Sequence, residues 1–199
     1  MEPDVEPVVV PTGLLPRFAV VDIETSGLSL RRHRILQIAV VTVHDGEVVD
    51  EWSSLVRLRW PWQRVGPRQV HGISRADLKH APKLDATLAE FAARLGDDAV
   101  FTAHNVRFDW AFIERAARRN KVQLPPTNRL CTLRMSRKLD ADRVLSHRLA
   151  DLCERYDVAN DRPHDALHDA RATAAVLPYL LDAHAVADVG DLNKLYDRR

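Results

Sequence analysis

The stretch Val20-Val21-Asp22-Ile23-Glu24-Thr25-Ser26-Gly27-Leu28 decides how this chain is read. It begins inside a run of buried-strand residues, Phe18-Ala19-Val20-Val21, which Asp22 and Glu24 interrupt. Side chains two apart on a strand project to the same face. The two acids therefore project together near the end of a strand that otherwise suits burial on both faces. Two adjacent carboxylates repel by about 4 kcal/mol at about 4 Å and an effective dielectric of about 20. That cost argues for a divalent cation; the alternative is a strand ending in an acidic turn. Further carboxylates along the chain decide between them.

The 199 residues suit one domain of ordinary size. With 46% hydrophobic and 29% charged residues the composition is that of a soluble globular protein. No apolar run approaches the length of a membrane span. Residues 1–16 hold three acids, four prolines and no basic residue, the wrong chemistry for a signal peptide. They read as an extended, partly disordered leader, with the domain over 17–182 and a short tail over 183–199. Cys131 and Cys153 form no disulfide framework and lack metal-ligand spacing, so a reducing cytoplasm is the expected compartment. The net charge is only +1, but its distribution is uneven. Arg107 to Arg148 holds 11 Lys/Arg against 4 Asp/Glu, and from Ala150 onward there are 6 against 10. A basic middle beside acidic clusters suits cleavage of a polyanion with metal ions, although any single arginine fits a solvated helix face.

Outward from the acidic strand, Ile35–His44 and Val48–Leu58 read as an antiparallel pair joined by the hairpin signal Asp45-Gly46. Ser74 with Asp77 marks a helix start. Lys83–Leu95 carries one apolar helical face closed by Gly96. Ala99–Ala103 is a short strand, followed by a turn through Asp109 and a helix over Trp110–Asn120. Asn128–Thr132 reads as a further strand, and Leu133–Leu139, His147–Tyr156 and Ala166–Leu181 as helices. The order predicts an α/β domain with a mixed sheet.

Two more carboxylates stand out. Asp109 opens a helix, where a favourable dipole contact would suffice to explain it alone. Asp169 lies in His164-Asp165-Ala166-Leu167-His168-Asp169-Ala170, at the head of the last long helix. The three stretches Val21–Leu28, Ala103–Asp109 and His164–Ala170 together resemble the motifs of the DEDDh branch of the DEDD 3′-5′ exonuclease superfamily. Within it, the chain is most similar to the epsilon-subunit-like proofreading domains of bacterial DNA polymerase III. Val70–Ser74, Cys131–Leu133 and His147–Ala150 fit as secondary landmarks, and the resemblance runs from about Arg17 to Leu181.

The resemblance implies a ribonuclease-H-like fold: a mixed five-stranded sheet, three strands antiparallel and two more beside them, flanked by helices. It implies two divalent ions, Mg²⁺ or Mn²⁺, held by Asp22, Glu24, Asp109 and Asp169, with Asp22 bridging both. Hard carboxylate oxygens suit these ions. His164 is implied as the general base. Positions i and i+5 lie about 140° apart on a helix, so His164 and Asp169 can share a reaction centre only if His164 precedes the helix. A mobile His164 that orders on binding is expected. His164 and His168 also have i, i+4 spacing suited to zinc, and their His-Asp pairs are similar to those of all-helical HD-type phosphohydrolases; the strands argue against that class. His168 is taken as a neighbour of the site. By resemblance Thr25, Ser26 and Gly27 cradle the terminal nucleotide, Leu28 packs on its base, and His71 and Asn105 lie close. A core contact for Leu28 and a turn-forming side-chain bond for Asn105 are the structural alternatives. Trp110 is expected in the core, and Trp60 and Trp62 as surface or interface residues.

The implied activity is removal of nucleoside 5′-monophosphates from single-stranded 3′ ends, DNA in preference to RNA. The alternatives are a DEDDh exoribonuclease and a non-catalytic nucleic-acid scaffold. A polymerase or repair partner is possible, but no clamp-binding peptide is visible after Leu181, so a stand-alone repair or turnover enzyme is expected.

Overall fold

A computed structural model describes residues 15–197. The leader expected over 1–16 lies outside these residues except for Leu15, which is buried in the core, and Pro16. The elements in chain order begin with β1 (Phe18–Thr25), β2 (Ile35–His44) and β3 (Glu47–Leu55). Three helices follow, α1 (Arg68–His71), α2 (Arg75–Leu78) and α3 (Leu84–Leu95), and then β4 (Val100–Ala103). The chain continues through α4 (Val106–Asn120), β5 (Arg129–Cys131), α5 (Thr132–Leu139) and α6 (Leu149–Arg155). It ends with α7 (Ala166–Ala183) and α8 (Val189–Asn193).

One sheet runs in the order β3-β2-β1-β4-β5. β1, β2 and β3 pair antiparallel, while β4 and β5 join parallel to β1 and to each other. This is the mixed five-stranded, helix-flanked sheet expected of a ribonuclease-H-like fold. The β2–β3 hairpin turns at Asp45 and Gly46, both at positive φ (49° and 81°), the conformation that Asp-Gly turns favour. Alternation along β1 sends Val20 into a core with α6 and α7, and Val21 and Ile23 into a second core with α3 and α4. Central β1, buried on both faces, can thus present its acids only at its C-terminal end.

Several boundaries move. β3 stops at Leu55 rather than Leu58, because Arg57 leaves the ladder to bond the Pro82 carbonyl at 2.8 Å. α4 starts at Val106 rather than Trp110, since Asn105 takes the left-handed conformation (φ 79°, ψ 53°) and starts the helix at once. Asp109 therefore lies within the first turn of α4. The chain beyond Leu181 does not trail away: Val186 and Leu192 join the α6–α7 core, and buried Asp197 accepts from Arg107 and Arg134. Ser74 and Asp77 form the reciprocal capping box that their spacing announces.

Candidate active site

Three elements bring the four motif carboxylates together. β1 supplies Asp22 and Glu24, opposite Ala39 and Gln37 on β2, and its register shifts directly after Glu24, freeing the chain to turn. α4 supplies Asp109, which is buried, and α7 supplies Asp169. Their charges act on one another. Burial drives Asp22 well above the usual carboxylate range, and the charges of Asp109, Asp169, Glu24 and Asp165 push the same way. Burial, then Asp169 and Asp165, push Glu24 up to about 8. Asp109 is raised chiefly by burial, opposed by bonds from its own backbone N–H and that of Ile23. Such a group of acids ionises together only beside compensating positive charge.

His164 completes the cluster. It precedes α7, at φ 66°, outside the helix as the i, i+5 geometry requires. Glu24, His164 and Asp169 each offer one ligand atom, and these atoms lie within 4.8 Å of one another. Asp22, Glu24 and Asp109, which burial and neighbouring acids keep from ionising, with oxygen donors converging from β1 and α7, fit a hard divalent cation. His168 is not in this cluster, and with His164 off the helix the two histidines form no helical i, i+4 pair.

A family model described as Exonuclease (RNase_T) matches residues 19–177. The chain belongs to this exonuclease family. A Mycobacterium tuberculosis protein, whose name describes it as a bifunctional exonuclease/endonuclease, is 38% identical over 83% of this chain and 26% of its own length. The PolC-type DNA polymerase III of Staphylococcus aureus is 32% identical over 88% of this chain and 12% of its own. The chain thus spans only 26% and 12% of the length of these curated relatives. Among solved structures, Exonuclease X in complex with 5′ overhanging duplex DNA matches with a TM-score of 0.65 at 25% identity. That match covers 85% of this chain and 92% of the other.

In this exonuclease domain the turn after Glu24 is tightly built. Thr25 Oγ1 donates to the Gly27 carbonyl at 2.9 Å, and Arg34 N–H donates to Ser26 Oγ at 3.0 Å. Gly27 has φ 145°, and a Cβ there would meet the His33 ring at 2.7–2.8 Å. Gly66, at φ 89°, passes so close that a Cβ would collide with the Ser26 carbonyl. Leu28 is 82% exposed, so the core contact is not made. The Asn105 side chain makes no cap bond to α4. His71 is buried with both ring nitrogens engaged: Nδ1 accepts from Ile73 N–H at 3.1 Å and Nε2 meets the Val65 carbonyl at 3.2 Å. Its ring thereby holds the 65–73 loop, and a substrate bond through either nitrogen would cost one of these.

Three positioning residues escaped the sequence reading. Asn160 Nδ2 donates to Asp169 Oδ1 at 2.8 Å. Gln37 accepts from Ala166 N–H at 3.3 Å and donates to Ser53 Oγ at 3.1 Å, fixing the start of α7 to β2. Asp165 caps α7 by accepting from Leu167 N–H at 3.1 Å, and its charge reaches Asp22 and Glu24. Gln37 was hidden because an amide in an apolar strand carries no periodic signal. Its place opposite Glu24 is the only clue, and that needs the register.

Proposed function

We propose that this exonuclease domain is a metal-dependent 3′-to-5′ exonuclease acting on single-stranded nucleic acid, DNA in preference to RNA, and releasing nucleoside 5′-monophosphates. The observation that carries this reading is the convergence of Asp22, Glu24, Asp109 and Asp169, three of them held above the usual carboxylate range, beside His164. Under this reading the four carboxylates hold two Mg²⁺ or Mn²⁺ ions. Such ions, when bound, neutralise the phosphate, activate water and stabilise the leaving oxygen.

The protein's own groups do the rest. His164 takes the proton of the attacking water, the role of a positioned general base. The water oxygen bonds to phosphorus as the bond to O3′ of the penultimate nucleotide breaks; the phosphate leaves on the terminal nucleotide, and the freed O3′ takes a proton from solvent to become the new 3′-hydroxyl. The tight turn Thr25-Ser26-Gly27 seats that nucleotide, with exposed Leu28 against its base and the Asn105 side chain within reach. His71 positions the loop that closes over this turn.

The similarity to a DNA polymerase III supports a replication or repair setting with a polymerase or repair partner. Among the described residues no helix is long and apolar enough to cross a membrane. The free, buried cysteines Cys131 and Cys153 suit a reducing, cytoplasmic setting. The test is digestion of matched single-stranded DNA and RNA, labelled at the 5′ end, with Mg²⁺ and with Mn²⁺. DNA should shorten from its 3′ end faster than RNA. Faster RNA shortening would make this an exoribonuclease, and no shortening of either would overturn the reading.

A further inference from the structure

A groove of about 880 Å³ opens between the chain leaving β3 and the flank of α4. One end borders the substrate turn. His33, whose ring faces Gly27, and Arg34, which bonds Ser26 Oγ, both line it. The other end is reached along α4, the helix that carries Asp109, where Phe112, Arg115 and Arg119 form one stripe at i, i+3, i+7. From Asp109 to Arg119 the helix advances about 15 Å.

The groove is charged one way. Arg34, Arg57, Arg59, Lys83, Arg115 and Arg119 line it, against a single acid, Asp85. Among the described residues none of these six cations has a carboxylate within 4.0 Å, whereas Arg94, Arg107, Arg134 and Arg171 each do. Gathering unpaired cations in a concave surface works against the fold and favours a polyanionic ligand. The groove also has an aromatic edge. Trp60 lines it, and Trp62 stacks on Trp60 with centroids 5.1 Å apart and planes 7° from parallel. Trp62 is 74% exposed, leaving its outer face open, and Arg59 lies over the Trp60 ring at 4.9 Å. A cationic track beside an exposed aromatic stack is the surface that single strands use, with phosphates on the cations and bases on the rings.

We infer that this groove binds the single strand upstream of the 3′-terminal nucleotide, with phosphates on Arg57, Arg115 and Arg119 and a base on the Trp60–Trp62 stack. The direction of the strand rests on the exonuclease reading; the binding itself does not and is measured without hydrolysis.

The full chain in EDTA is titrated with 5′-fluorescein oligothymidylates of two to twelve nucleotides, read by anisotropy at several salt concentrations. Affinity should climb with length until the groove is filled and then level. Arg115→Gln/Arg119→Gln should bind the twelve-mer at least tenfold more weakly and lower the salt slope by about 1.4, at about 0.7 per phosphate contact. Trp62→Ala, at a site too exposed to threaten folding, should weaken the twelve-mer at least threefold. Affinity independent of length, or a double variant matching wild type in affinity and salt slope, would overturn the groove. Shortening of labelled DNA with Mn²⁺ alongside that result would leave the exonuclease reading standing. Groove-dependent binding with no shortening would support the groove and overturn the exonuclease reading.

Discussion

His164 donates its backbone N–H to Asp169 Oδ2 at 2.9 Å. The loop that carries the proposed base is thus tied to a carboxylate of the site. The left-handed backbone at His164 (φ 66°) turns the side chain back towards Glu24 and Asp169 instead of out along α7. His164→Ala keeps the backbone bond and removes only the imidazole, so it should lower kcat by about 10²–10⁴-fold. His168→Ala should cost less than tenfold. Single-turnover rates on a labelled oligonucleotide check this, and the reverse order would move the base to His168.

The pH dependence of the metal-free protein follows from its buried acids, Glu24 among them. The Glu24 carboxyl lies at about 8 in the fold against an ordinary 4.5. A pKa raised by folding contributes stability that is fully present below pH 4.5 and is lost as pH rises through 8. Melting of the metal-free protein should therefore show a declining contribution across that window, and Glu24→Gln should remove the Glu24 share of it while the raised Asp22 and Asp109 keep theirs. Mn²⁺ should raise the melting temperature more at pH 8 than at pH 5. An equal effect at both would mean that the carboxylates do not compete with protons for the ion.

His104 acts in the opposite sense. It bridges Thr132 Oγ1 and the His147 carbonyl, each at 3.0 Å, and burial chiefly lowers its pKa from 6.5 to about 4. A histidine kept neutral by the fold contributes stability that is present above pH 6.5 and is lost as pH falls through 4. The loss amounts to about 3 kcal/mol. Denaturant melts of wild type and His104→Asn, subtracted across pH 4–7, should isolate it. A difference that does not change with pH would refute it.

Among the described residues Asn160 reaches the site through Asp169, to which it donates at 2.8 Å. Removing such an outer partner typically costs about 10–100-fold in metal affinity. Asn160→Ala should shift the Mn²⁺ midpoint for thermal stabilisation by that factor while activity recovers at high Mn²⁺. An unchanged midpoint would reduce Asn160 to a surface contact.

What could be read in the sequence was whatever is local. The Asp45-Gly46 turn and the Ser74–Asp77 box are fixed by neighbours in the chain, and both formed. The acids of β1 were legible because charge in an apolar strand has few explanations. What was not legible depends on contacts across the fold. Gln37 meets Ala166 from 129 positions away. Asp197 holds Arg107 and Arg134 from 90 and 63 positions away, turning an apparent tail into part of the core. His71 sits in a recognisable motif, but that its nitrogens bond inward emerges only from the path of the 65–73 loop.

The central claim is that Asp22 and its partner carboxylates cut 3′ ends with divalent ions. It is tested most directly by digesting 5′-labelled single-stranded DNA with Mn²⁺, comparing wild type with Asp22→Asn. Wild type should give a ladder shortening one nucleotide at a time from the 3′ end, with nucleoside 5′-monophosphates as products and no cleavage in EDTA. Asp22→Asn should be folded and inactive. A ladder that persists in EDTA, or in Asp22→Asn, would contradict the account.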